Sequence, residues 1–327
     1  MPVELWATAA FHAEARSWVA EIAGSAGITP TGEFHQPHNK PWSTAIRFES
    51  DAGPLWFKAN GPGTLHEGTL VATLARLDPA LVPEVIAVDR IRGWWLMRDG
   101  GPILRTLAIP GELWSRWESI VPRYAEAQLR LAAHSRDLLA TGLPEATPAT
   151  LPGQLESLID ALRSRAPAEG GLTADHASAL EAHLPVYRER CAQLAASGIP
   201  SSIQHDDLHS SNICWYDSAR AFRVIDWGDA SWCHPLGTML STLNSIAHHA
   251  KVEAGDQRIQ RVRDAFLEPF TSFATLATLK HLVTVARQVG CVTRALSWMH
   301  AFEGEPAPAE AAEDFPVRGW LLELLES

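Results

Sequence analysis

The chain has 327 residues, 46% of them hydrophobic and 20% charged, which fits one large globular domain or two lobes and argues against a small single module. Its 27 basic against 38 acidic residues leave a net charge of −11, which excludes a duplex-binding surface of clustered Lys and Arg and favours a cationic or neutral small substrate. Cys191, Cys214, Cys233 and Cys291 form no C-x-x-C pair, so neither a disulfide framework nor a structural zinc site is expected.

Residues 8–26 place Phe11, Ala15, Trp18, Val19 and Ile22 at helical spacing, an amphipathic helix ended by Gly24 and Gly27. Charges interrupt this start too often for a signal peptide, and no later apolar run is long enough to span a bilayer. A cytoplasmic protein with no membrane contact is therefore expected. Between Glu33 and Asn60 the period changes: AIRFES and PLWFKA read as two short strands joined at Asp51-Ala52-Gly53-Pro54, with Lys58 near the end of the second. Leu65, Leu70, Leu74 and Leu77 then trace a helical face stopped by Pro79, with Glu67 in its first turn. PEVIAVD and GWWLMRD add two strands around Arg92-Gly93, completing a small strand-rich lobe.

Asp99-Gly100-Gly101-Pro102 is the expected boundary, dividing the chain into a lobe at 1–99 and a larger helical lobe at 100–327. In the second lobe, helical patterns cover Gly111 to about Ala140, 153–165 and 174–197. Residues 201–229 break this pattern with a loop followed by a hairpin. Helices return at Leu236–His249, Asp256–Phe273, Thr278–Trp298 and Val317–Leu325, with Glu303 to Glu313 as an exposed Pro- and Ala-rich connector. Trp6, Trp18, Trp114 and Trp117 fall on helical stripes and are expected in the core.

The loop and hairpin carry the chemistry. His205-x-Asp207 is followed five residues later by Asn212, and Asp226-Trp227-Gly228 closes an apolar run. Phosphoryl transfer needs a carboxylate to take the attacking hydroxyl's proton, oxygen ligands for magnesium and a cation on the phosphates. Asp207 is the candidate base, Asn212 and Asp226 the candidate magnesium ligands, and Lys58, held by Glu67, the candidate cation on the α- and β-phosphates. Asp229, three residues after Asp226, reads as a loop-bracing acceptor. A rival reading takes His205, Asp207 and His209 as a transition-metal site of a hydrolase, which leaves Lys58, Glu67 and Asp226 without roles.

HDDLHSSN and IDWGDA, together with the upstream strand Lys and helix Glu, resemble the aminoglycoside phosphotransferase family, kinase-like enzymes that phosphorylate small-molecule hydroxyls. The resemblance extends through KPWSTAIRFES, LWFKAN, HEGTL, WWLMRDGG and YAEAQLRLAAHSRDLLATGLP, most of residues 40–240. It implies an α+β, bilobal protein-kinase-like fold and an ATP- and magnesium-dependent transfer to a small-molecule hydroxyl acceptor, by a monomer or homodimer without nucleic-acid partners. Another nucleoside triphosphate in place of ATP, and a catalytically silent nucleotide-binding pseudokinase, stay open. So does the acceptor, among aminoglycosides, other antibiotics, amino sugars and choline-like or amino-acid alcohols.

Position by position, the resemblance puts Trp42, Ser43 and Thr44 in the nucleotide-covering loop and the backbone of Met97 and Arg98 at the adenine, with His205 bracing the catalytic loop. Two departures stand out. Asp206 replaces the family's usual Gly, and Gly237-Thr238 follows His234-Pro235 where the family commonly has an acidic residue opening the next helix.

Overall fold

The structure, a computed structural model, describes residues 2–107, 111–303 and 315–326. A short helix α1 (Pro2–Trp6) precedes α2 (Ala9–Ser25), the helix expected at 8–26. Thr8 caps α2 by accepting the Phe11 N–H at 3.1 Å, satisfying one of the first-turn donors that a helix leaves open.

Five antiparallel strands follow: β1 (Pro30–Lys40), β2 (Ser43–Ser50), β3 (Leu55–Asn60), β4 (Val85–Asp89) and β5 (Trp94–Arg98), in the order β1-β2-β3-β5-β4. The strand β1 is an addition to the two runs expected between Glu33 and Asn60. It lies at the sheet edge, its side chains are half-buried or exposed, and its pairing with β2 is irregular between Pro30 and Phe34 and between His35 and His38. An edge strand with one wet face and a register break has no alternating apolar pattern to read.

The other strands do alternate. Ile46, Phe48, Leu55, Phe57, Trp94 and Leu96 pack against Phe11, Ala15, Trp18 and Val19 of α2, with the rings of Phe57 and Trp94 edge to face at 5.2 Å. Because successive strand residues point to opposite faces, burying Phe57 under α2 turns Lys58 to the other side. There it meets α3 (Glu67–Leu77), whose Leu70 and Leu74 are buried as expected, whereas Leu65 precedes the helix and is exposed.

The larger lobe is helical: α4 (Glu112–Leu131), α5 (Ser135–Leu139), α6 (Leu151–Arg163), α7 (Ala174–Ala195), α8 (Met239–Ala250), α9 (Gln257–Leu267), α10 (Leu276–Ala301) and α11 (Pro316–Glu326). The single helix expected at 111–140 is two, joined by a tight 3₁₀ turn at Ala132–His134. Between α7 and α8 lie two small ladders, β6 (Ser202–Gln204) with β9 (Ser231–Cys233) and β7 (Ile213–Tyr216) with β8 (Ala221–Val224). The β7–β8 pair is the expected hairpin; β6 and β9 are too short to carry a period. Apart from the exposed Glu303, the connector expected up to Glu313 lies outside the described residues. Among the described residues no helix is long and apolar enough to cross a membrane, and all four cysteines are buried free thiols.

The two lobes meet where Gly63, in the turn before α3, touches the end of α10. A Cβ at Gly63 would lie 1.8 Å from the His300 carbonyl oxygen. Gly63→Ala is expected to push the turn off α10 and destabilise the fold by about 1–3 kcal/mol, the usual range for overpacking. Urea unfolding measures this; an unchanged midpoint would mean the lobes yield freely at this contact.

Candidate active site

Lys58 stands between two carboxylates. Its Nζ donates to Glu67 Oε1 at 2.7 Å and to Asp226 Oδ1 at 2.5 Å. Burial pulls the ammonium's pKa down, but the charges of Asp226 and Glu67 outweigh it, so Lys58 stays protonated well above its ordinary range. Glu67 is fully buried, and its pKa is raised by that burial against the pull of Lys58. Its Oε1 also accepts the Trp227 N–H at 3.0 Å, and its Oε2 accepts from Asn60 Nδ2 at 2.6 Å. Asn60 is in turn fixed by the Trp95 indole N–H at 2.9 Å. One buried carboxylate thus joins β3, α3 and the turn after β8. Asp226 opens that turn in a left-handed conformation (φ 65°, ψ 60°), with its carboxylate in the cleft between the lobes.

The loop from His205 to Asn212 is set by its own hydrogen bonds. His205 lies between the Ile225 carbonyl, 2.9 Å from its Nε2, and the Asp207 N–H, 3.3 Å from its Nδ1. This fixes the tautomer with the proton on Nε2, and burial lowers the ring's pKa to about 4, keeping it neutral. Asn212 donates Nδ2 to the Asp207 carbonyl at 3.0 Å. That bond fixes the amide's orientation and leaves Oδ1 without a partner among the described residues. A free amide oxygen and the cleft-facing Asp226 carboxylate fit a hard cation that keeps several waters. The zinc reading does not fit: His205 has both ring nitrogens engaged away from Asp207's carboxylate, and the described residues contain no cluster of three His, Cys, Asp or Glu suited to a metal.

Asp207 itself has two partners that sequence reasoning missed. His209 Nε2 lies 3.2 Å from Oδ2, and Arg294 of α10 lies 3.5 Å from Oδ1. Burial pulls the Asp207 pKa up; the His209 hydrogen bond and the Arg294 charge outweigh that and hold it below the usual carboxylate range. Arg294 also binds Asp229 at 3.0 Å, so Asp229 sits as a paired brace. The available signal was three polar residues, Thr293, Arg294 and Ser297, buried in an otherwise apolar helix.

Asp206 is buried and left-handed (φ 61°), a conformation that Asp tolerates better than most residues. Its carboxylate accepts from Gln204, from Ser231 Oγ at 2.5 Å and from Thr293 Oγ1 at 2.9 Å, and its carbonyl accepts from Ser241 Oγ at 2.5 Å. Burial raises its pKa to about 6, against the hydrogen bonds and the charge of Arg294.

A cavity of about 230 Å³ opens beside Lys58 and Asp226, walled by Ala45, Trp56, Trp95, Met97, Ile103 and Ile225. Met97 offers its side chain, but its backbone is paired in the sheet with Trp56 and Val85, and the Arg98 N–H is bonded to the Glu84 carbonyl at 2.9 Å. Among the described residues the Asp99 carbonyl and the N–H groups of Gly100 and Gly101, just past the strand, carry no hydrogen bond. A second cavity of about 120 Å³ runs from Lys58 and Asp226 to Asp207 under Trp42. Ser43 and Thr44 begin β2 and are buried, with Ser43 Oγ 3.1 Å from His38 Nε2 and Thr44 donating to the His38 carbonyl at 2.8 Å. Trp42 stands edge-on to Trp298 at 5.6 Å.

A strand Lys held by a helix Glu, facing a D-x-G turn and an H-x-D-x-x-x-x-N loop across a cleft, is the layout of a kinase-like site. A model of the phosphotransferase enzyme family matches residues 46–266. The chain belongs to this family. No curated protein matches it by sequence. Among solved structures, a choline/ethanolamine kinase family protein from Mesorhizobium loti aligns with a TM-score of 0.61 at 18% identity, over 97% of this chain and 95% of that one. Macrolide 2'-phosphotransferase MphH from Brachybacterium faecium aligns at 0.58 and 18%, over 91% and 97%. An aminoglycoside phosphotransferase from Streptomyces rimosus, in complex with ADP and streptomycin, aligns at 0.50 and 16%, over 84% and 98%. These likenesses establish the kinase-like bilobal fold of the phosphotransferase family; they do not choose among its substrates.

The buried Asp206 makes a pH signature. Its folded pKa lies above that of an unfolded aspartate, so its contribution to stability is fully present below the ordinary aspartate range and is lost as pH rises through about 6. Asp206→Asn, which tolerates the left-handed backbone, is expected to flatten the melting temperature's dependence on pH between about 4 and 6. Asp206→Ala instead strands three donors and strains the backbone, at a cost of about 2 kcal/mol or more at neutral pH. An unaltered pH slope in the Asn variant would refute this account of the carboxyl.

Proposed function

We propose that the chain is an ATP- and magnesium-dependent phosphotransferase that moves the γ-phosphoryl group to a hydroxyl of a small molecule in the cytoplasm. The observation that carries this is the Lys58 bridge between Glu67 and Asp226, with the Asp207 carboxylate and the free Asn212 amide oxygen facing the same cleft. We divide the chain at Asp99–Gly100, with 1–99 presenting the nucleotide and 100–327 carrying the base and the acceptor. The ADP in the Streptomyces rimosus complex is consistent with a nucleotide in the corresponding cleft.

On this reading the adenine enters the apolar cavity between Ala45, Met97 and Ile225, meeting the open backbone groups of Asp99 and Gly101. Lys58 holds the α- and β-phosphates, and Glu67 keeps Lys58 aimed. Asn212 and Asp226 would hold magnesium, which neutralises phosphate charge when bound. The acceptor oxygen forms the new bond to the γ-phosphorus, the bond to the β–γ bridging oxygen breaks, and ADP leaves with its electron pair. The hydroxyl proton passes to Asp207, kept ionised by His209 and Arg294. Ser43 and Thr44 support the turn that carries Trp42 over the phosphates.

Asp207→Asn is expected to lower kcat by about 10²–10⁴-fold with nucleotide affinity kept, the loss of one general base. Asp226→Asn is expected instead to weaken magnesium-nucleotide binding in titration calorimetry. Full turnover in the Asp207 variant, followed by mass spectrometry of a phosphorylated product, would refute the assignment.

A further inference from the structure

A phosphate chain in this cleft meets few donors. Among the described residues that line the two cavities, Lys58 is the one Lys or Arg, and Glu67 and Asp226 already answer its charge. The turn above it is tight: Lys40 pairs with Ser43, so Pro41 and Trp42 alone make the bend between β1 and β2. Pro41 has no N–H. The turn therefore lacks the row of backbone amides with which a glycine-rich loop covers phosphates.

The sheet supplies another group. His38 of β1 pairs with Ala45 of β2, and Ala45 with Lys58 of β3, so the three stand in one row across the sheet with their side chains on the same face. Two strand spacings separate His38 from Lys58, about 10 Å at the backbone, and Ala45 is too small to fill the gap between them. His38 and Lys58 each line both the apolar cavity and the one that runs on to Asp207. The imidazole thus sits at the junction of the two, where the phosphates leave the nucleoside on the reading above.

Its neighbour assigns its proton. Ser43 Oγ lies 3.1 Å from His38 Nε2 and has no other partner among the described residues, so this buried hydroxyl donates to Nε2. Burial first and the charge of Lys58 second lower the ring's pKa, with Lys40 adding to them and Asp226 opposing, which keeps the ring neutral. A neutral imidazole that accepts at Nε2 carries its proton on Nδ1. Nδ1 has no acceptor among the described residues and is not sealed from solvent. The backbone beneath is held by Thr44 Oγ1, which donates to the His38 carbonyl at 2.8 Å.

We propose that His38 is a phosphate-binding residue of the nucleotide site, its Nδ1–H donating to a phosphate oxygen across Ala45 from Lys58. This rests on the phosphotransferase reading above. It gives the edge strand β1 a part in the site, supplied by a side chain where the short turn has no amides to give.

The test titrates the full chain with ADP and magnesium by calorimetry, and with adenosine by its competition against ADP. Two substitutions separate the ring nitrogens. In His38→Asn the side-chain amide nitrogen takes the place of Nδ1, whereas in His38→Gln the amide reaches towards Ser43 and nothing replaces Nδ1. His38→Gln is expected to raise the Kd for ADP about tenfold or more, the worth of a hydrogen bond to a charged group, and to leave adenosine unmoved. His38→Asn is expected to recover most of that loss. The unmoved adenosine affinity also shows that the cleft of each variant is folded.

An unchanged Kd for ADP in His38→Gln, an equal weakening of adenosine and ADP, or a His38→Asn variant no better than His38→Gln overturns the assignment. Each of these leaves the phosphotransferase reading standing, because the unsubstituted chain still binds ADP. No binding of ADP by the unsubstituted chain overturns both.

Discussion

Glu67 is the constraint on which the cleft depends. An unpaired carboxylate in a fully buried position is costly, and its pKa would rise until it lost its charge. Three donors from two segments hold it instead: Lys58 and Asn60 from β3, and the Trp227 N–H from the turn after β8. Removing Lys58 would leave Glu67 as an uncompensated buried charge, which is why a buried ion pair resists being broken even where it adds little net stability. The geometry of the cleft follows. Lys58 cannot leave Glu67 without exposing it, and the turn bearing Asp226 cannot move without releasing the Trp227 N–H.

The two departures from the family's sequence in the catalytic loop form one arrangement. At the position where the resemblance implies Gly, Asp206 takes a left-handed backbone and adds a carboxylate that binds Gln204, Ser231 and Thr293, tying β6, β9 and α10 to the loop. Where the family has an acidic residue near the start of α8, this chain has Gly237. A Cβ there would come within 2.2 Å of the Gln204 side-chain oxygen, so the small residue is the condition for the glutamine that reaches Asp206. Support for the loop comes from inside it, with Ser241 and Thr242 of α8 adding hydroxyl donors to the Asp206 and Leu208 carbonyls.

Much of this was legible in the sequence, because the chemistry of phosphoryl transfer demands particular residue types in a particular order. Lys58, Glu67, Asp207, Asn212 and Asp226 could be chosen on that demand, and the structure brings all five to one cleft. What stayed hidden was long-range or unpatterned. Arg294 lies on a helix 87 residues beyond Asp207 and belongs to no motif. The edge strand β1 has no alternation because only part of one face is covered. Which backbone groups past Arg98 stay unpaired was equally hidden, since where the sheet stops pairing is a matter of register, which no single strand encodes.

The helix α10 connects these observations. Arg294 and Trp298 are four residues apart and so share one face of the helix. Arg294 binds Asp207 and Asp229, while Trp298 and Phe302 receive the edge of Trp42 from the turn between β1 and β2. Two residues past Trp298, the His300 carbonyl is where the turn holding Gly63 comes to rest. A single helix therefore positions the base from one lobe and limits the approach of two turns from the other. Any widening of the cleft has to break the contacts of Trp42 or Gly63 with the same helix that carries Arg294 to Asp207 and Asp229.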